Sequence, residues 1–152
     1  MSLTPGVNKS WYPVAVNPIR IAAAVIVRPG ETLLVRKRGT TTFIQPGGKI
    51  EPGESPEAAL CRELAEELNL VVTPDELVPL GPGSAPAVNE PGHTVVADFF
   101  LVRRTEVGPV GAEIAEARWV DPHHLPDIPI APLSRTQALP RALASKAWAS
   151  EA

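Results

Sequence analysis

The 152-residue chain carries 14 basic and 17 acidic side chains, a formal charge of −3, with 44 % hydrophobic and 20 % charged residues. At about 150 residues per domain this length suits one domain, and the composition supports a packed core; an acidic excess without a basic run disfavours a grip on polymeric nucleic acid. The longest wholly apolar run, Ile21 to Val27 between Arg20 and Arg28, falls far short of the roughly 18 residues a membrane span needs.

Residues 1–16 hold Trp11 and Tyr12, show no periodicity and lack the charged-then-apolar layout of a secretory signal, so they read as an arm before a domain at 17–130. The lone Cys61 makes no internal disulfide, which points to a reducing, cytoplasmic setting. Eighteen prolines, against a usual share of about 5 %, predict rigid turns and short elements. Ile19 to Val27 reads as a buried strand, Pro29-Gly30 as a turn and Thr32 to Arg38 as a second strand. Phe43-Ile44-Gln45 then runs into the flexible Pro46-Gly47-Gly48 loop.

A helix is predicted over 55–69. Ser55 is placed to cap it, Pro56 to open it, Glu57 to meet the positive dipole end, and Asn69 to close it in the left-handed conformation. Further on, Val71 to Leu80 reads as a strand with a Pro-Asp turn inside it, and Gly81 to Gly92 as a long loop. Thr94 to Arg103 is a strand with apolar residues on both faces, hence covered on both sides. Glu116 to Val120 reads as a last strand and Pro122 to Leu125 as a helical turn. A tail at 131–152 follows, with a short helix from Pro140 to near Trp148.

The predicted helix holds the chemistry. Leu60, Cys61, Leu64 and Leu68 fall on one stripe that must face the core. Glu63, Glu66 and Glu67 share a neighbouring arc, where like charges at i, i+3 and i+4 repel by a few tenths of a kcal/mol per pair. Such an arc is either a solvated acidic face with Arg62 as counterion or a set of hard oxygen ligands for Mg²⁺ or Mn²⁺. The context decides. The run from Gly48 to Leu70 resembles the Nudix hydrolase box, G-x5-E-x7-R-E-U-x-E-E-x-G-U with U aliphatic. Gly48, Glu54, Arg62, Glu63, Leu64, Glu66, Glu67 and Leu70 match it, and Asn69 replaces the second Gly. From average residue frequencies, a chance match in a chain this long is about one in a million.

The resemblance implies an α/β fold, the Nudix α/β/α sandwich with a mixed sheet. It also implies hydrolysis of a diphosphate linked to another group, by water attack on phosphorus with divalent cations, Mg²⁺ or Mn²⁺. It makes Glu63, Glu66 and Glu67 metal ligands, with the Gly47 carbonyl as a further one, and has Glu54 and Arg62 orient them. The general base is then Glu63 or a loop glutamate, and Glu113, ahead of the last strand with Glu116, is the favoured loop candidate. Arg36, Arg38 and Lys49 are candidates for phosphate contacts, His93 and Asp98 for the pocket, and Phe43, Phe99 and Trp119 for stacking on a base.

The expected partner is a small nucleoside diphosphate derivative. The P-G-G-K-I-E-P-G-E wording looks most like MutT-type hydrolases, which take a (deoxy)nucleoside triphosphate to monophosphate and pyrophosphate. The first alternative is an ADP-ribose or nucleotide-sugar pyrophosphatase; relatives of that kind tend to carry a proline 15 residues beyond the box, where this chain has Ala85 with Pro86 next. The other is a non-catalytic nucleotide-binding module, disfavoured because every box glutamate is present. Monomer and homodimer both remain open.

Overall fold

In a computed structural model, residues 16–88 and 90–149 are described. The expected arm at 1–16 therefore lies almost wholly outside them. Strand β1 (Pro18–Arg28) turns through Gly30, at φ 76°, into β2 (Glu31–Lys37). The two strands pair only beside the turn, at Val27–Thr32 and Arg28–Glu31, and then part. On one edge β1 takes up the short β4 (Gly47–Lys49), and on the other it pairs in parallel with β6 (Thr94–Arg103) over its whole length. Strand β2 pairs with β3 (Phe43–Ile44) and with β7 (Ile114–Val120), and β5 (Val78–Pro86) closes the far edge against β6.

Helix α1 (Pro56–Leu68) forms as the sequence dictates. Ser55 Oγ accepts from the Ala58 N–H at 3.0 Å, and Asn69 caps the C-terminus at φ 50°. Its Leu60, Leu64 and Leu68 pack on Ala22, Ala24 and Ile26 of β1 and on Phe100 and Val102 of β6. The opposite face of the same strands, Ala23, Val25, Val27, Phe99 and Leu101, is covered by Ala138, Leu139, Ala142 and Trp148. A mixed sheet between helical layers is the α/β/α sandwich expected. No helix among the described residues is long and apolar enough to cross a membrane.

Two expectations need correction. The strand expected from Val71 begins only at Val78, after a 3₁₀ turn at Pro74–Glu76, and it runs on to Pro86 through the segment read as loop. An edge strand tolerates proline on its open side. The Ser84 N–H points away from β6, to Gln137 Oε1 at 2.9 Å, and Pro82 and Pro86 share its parity, so their missing N–H groups cost no ladder bond. Gln137 Nε2 also donates to Ser84 O, and Arg141 to Pro82 O, so this edge is covered. At Pro122 the expected turn is present, closed by His124 N–H to Asp121 O at 3.0 Å, and it does not continue into a helix.

Finally, the C-terminal helical run starts before Pro140 and includes a π turn at Ser134–Ala138, followed by α2 (Leu139–Ala144) and α3 (Lys146–Ala149). Pro140 has no N–H for the Thr136 carbonyl, and its ring crowds that oxygen, which accounts for the widened turn before it.

Candidate active site

The extended chain of β3 leads through Gln45 and Pro46 into β4, which lies beneath α1. Gly47 and Gly48 allow that approach. A Cβ on Gly48 would fall within 2.6 Å of both Glu63 carboxylate oxygens, and one on Gly47 would meet Ala23 Cα at 2.8 Å. The Gly47 N–H donates to Glu67 Oε1 at 3.0 Å. Two glutamates of α1 are thus seated on two consecutive glycines.

The three box glutamates differ in environment. Glu67 is only 5 % exposed, and burial pushes its carboxyl up to about 7. The Gly47 N–H and the positive charge of Lys37 oppose that shift, and the negative charges of Glu63 and Glu113 add to it. Glu63 is mostly covered, whereas Glu66 is half-exposed. Arg62 stands among them. It grips Glu54 with two hydrogen bonds, Nε to Oε2 at 2.8 Å and Nη2 to Oε1 at 2.9 Å, and donates to Glu63 Oε2 at 2.9 Å and the Lys49 carbonyl at 3.0 Å. Those bonds to Arg62 and the Glu51 N–H hold the Glu54 carboxyl down at about 2. With Arg62 drawing Glu63 and Glu66 toward itself, no three His, Cys, Asp or Glu side chains among the described residues converge on one point. The donor set nevertheless fits a divalent cation: a buried carboxylate raised by desolvation and by neighbouring negative charge lacks the countercharge such an ion supplies.

The other predicted residues are distributed unequally. Glu113 sits on the loop before β7, its carbonyl accepting the Arg38 N–H at 2.8 Å and its charge reaching Glu67. Arg36 is held by Glu116 at 3.4 Å and by the Thr40 carbonyl at 2.8 Å. Lys37, not singled out in the sequence, turns toward the glutamates with Lys49 into a cleft of about 200 Å³ beside Gly47 and Gly48.

That cleft is walled by aliphatic side chains such as Ile19, Ile21, Val95 and Leu133, with Ser134 and Gln45 among them. Gln45 was also missed. It is 6 % exposed; its Nε2 donates to Ala24 O at 2.9 Å, while Oε1 has no partner among the described residues. None of the aromatic candidates lines the cleft: Phe43 and Phe99 are core residues, and Trp119 carries the Arg28 guanidinium 3.9 Å from its ring centre. His93 Nδ1 is 3.1 Å from the Pro91 carbonyl, and neither His93 nor Asp98 borders the cleft.

A mixed sheet carries a glutamate-bearing helix seated on two glycines beside a lysine-lined cleft, and comparison with known proteins identifies its class. The NUDIX domain pattern matches residues 18–141. The chain is 34 % identical over 113 residues to an 8-oxo-dGTP diphosphatase of Haemophilus influenzae, covering 70 % of this chain and 79 % of that protein. It is 28 % identical to an ADP-ribose pyrophosphatase of Methanocaldococcus jannaschii, covering 77 % and 70 % respectively. A solved structure, a MutT NUDIX hydrolase from Burkholderia pseudomallei, superposes with a TM-score of 0.70 at 26 % identity, covering 82 % of this chain and 98 % of that one.

The chain belongs to the NUDIX family. It is a hydrolase that cleaves a diphosphate linkage in a nucleotide derivative.

Proposed function

We propose that the substrate is a (deoxy)nucleoside triphosphate, cleaved with Mg²⁺ or Mn²⁺ to the monophosphate and pyrophosphate. The observation that carries the reading is the seating of Glu63 and Glu67 on Gly48 and Gly47, which brings a buried carboxylate and an Arg62-bound one beside a largely apolar cleft. Glu63, Glu66 and Glu67, with the Gly47 carbonyl, would hold the metal; the cation supplies charge neutralisation at phosphoryl oxygens and acidifies water. Glu54 holds Arg62, and Arg62 in turn holds Glu63 and Glu66 and would steer them toward the cation. Glu63 or Glu113 takes the proton of the attacking water.

Lys37 and Lys49 line the cleft beside Gly47 and Gly48 and are the phosphate contacts we favour; Arg36 is engaged by Glu116, and Arg38 does not border the cleft. The base lies in the cleft between aliphatic walls, with the Gln45 and Ser134 side chains as polar groups among them. The diphosphatase of Haemophilus influenzae supports the triphosphate branch and the archaeal relative the ADP-ribose one.

The test is a Mg²⁺-dependent hydrolysis screen over ordinary and oxidised nucleoside triphosphates, ADP-ribose and nucleotide sugars, with the phosphate products resolved. Pyrophosphate with a nucleoside monophosphate supports the proposal. Two monophosphates from ADP-ribose would replace it with the other branch, and silence across the panel with metal bound would indicate a binding module.

A further inference from the structure

Asn69 stands where the family pattern has glycine, and it closes α1 at φ 50°. Glycine would make that cap equally well, so the backbone alone does not call for an amide. The amide has a use of its own. Asn69 Nδ2 donates to the Pro109 carbonyl at 2.7 Å, and two residues on the Gly111 N–H donates to the Glu67 carbonyl at 2.9 Å. The loop lies so close that a Cβ on Gly108 would come 2.7 Å from Leu68 O, and one on Gly111 2.7 Å from Glu66 O. Ala112 then adopts a left-handed φ of 49°, unusual for a residue with a Cβ, and the next residue is Glu113.

We propose that Asn69 is a positioning residue: its side-chain amide clamps the loop at 107–113 onto the last turn of α1 and so places Glu113 within reach of Glu67. The inference rests on the reading of Glu113 as an additional ligand or base, and it goes further in assigning what holds Glu113 there. It makes the helix that supplies the glutamates also the anchor for the loop that complements them.

Two variants separate the clamp from the cap. Asn69→Gly keeps the left-handed conformation and removes only the amide, and Asn69→Asp keeps the size but cannot donate. In metal-free protein, amide hydrogen exchange at Gly111 should quicken about fivefold to tenfold in both variants while α1 exchange stays unchanged. With substrate and Mg²⁺, kcat should fall about fivefold with KM unchanged, and adding Asn69→Gly to Glu113→Gln should cause no further fall. Unchanged exchange at Gly111 would overturn the clamp. A fall of equal size in the Glu113→Gln background would overturn the positioning of Glu113 while leaving its own role standing. Wild-type turnover of Glu113→Gln alone would remove Glu113 from the reaction, and the positioning role with it.

Discussion

On the face of β1 that carries Ala22, Ala24 and Ile26, the covering helix brings a charged network to the sheet. On the face that carries Ala23, Val25 and Val27, the covering C-terminal turns bring mainly apolar side chains, Trp148 among them. The strand is equally apolar on both sides, so the division of labour comes from what is laid over it. The α1 face concentrates reactive groups whose spacing is set within one helix. The opposite side contributes Leu133 and Ser134 to a cleft whose other walls come from β1, β6, the segment from the end of β5 to Glu90, and the chain from β3 through β4. Chemistry and selectivity are therefore built from segments with very different sequence separations, and substitutions should separate them.

The largest effect is expected on the α1 face. Glu67→Gln should lower kcat by about a thousandfold or more, since it removes a proposed metal ligand while keeping an acceptor for the Gly47 N–H. Its circular dichroism should match wild type, and a variant with wild-type turnover in Mg²⁺ would sink the assignment. The adjacent glycines should then diverge. Gly47→Ala drives a Cβ against Ala23 Cα and the Ala22 carbonyl at φ 142°, and should destabilise the fold by about 3 kcal/mol or more in urea titrations. Gly48→Ala first meets the end of the Glu63 side chain, which can swing away; turnover should drop about a hundredfold with the urea midpoint close to wild type.

The buried carboxyl also gives a pH signature. Glu67 has a folded-state value of about 7 against 4.5 in the open chain, so folding favours its protonated form. That contribution is complete below about pH 4.5 and is lost as pH rises through 7, amounting to roughly 3 kcal/mol. In chelator, Glu67→Gln should match wild type at low pH and exceed it in stability above pH 7. Parallel stability curves for the two proteins would show that Glu67 does not titrate as a buried acid. The smallest effect belongs to the cleft: Val95→Trp, from β6, should raise KM about tenfold and leave kcat nearly unchanged. An equal fall in kcat would mean that the two sides are not separable.

Much of the α1 face was legible because its rules are local. Ser55, Pro56 and Asn69 bound the helix through contacts with their own neighbours, and the glutamate spacing follows from helical pitch. The burial of Glu67 but not Glu66 was not legible, because it depends on where Gly47 lies. The choice between Arg36 and Lys37 was hidden for another reason. Leu33, Leu34 and Val35 are all apolar, so alternation alone could not say which face of β2 meets α1. In the fold Leu33 and Val35 pack with α1 and Leu34 with Phe43 and Ile130, which carries Lys37 toward the glutamates and Arg36 toward Glu116. Strand β5 was hidden by its prolines, which only an edge position and a covering Gln137 make compatible with pairing.

By itself the sequence determined the family, the helix with its three glutamates and the strands at the centre of the sheet, since each depends on short-range periodicity, capping or motif spacing. Tertiary structure alone decided which glutamate is buried, which cation faces it, that the cleft is aliphatic rather than aromatic, and that the loop carrying Glu113 is anchored on Asn69. Those are contacts between segments up to about a hundred residues apart, and no local preference encodes which face of one element will meet another.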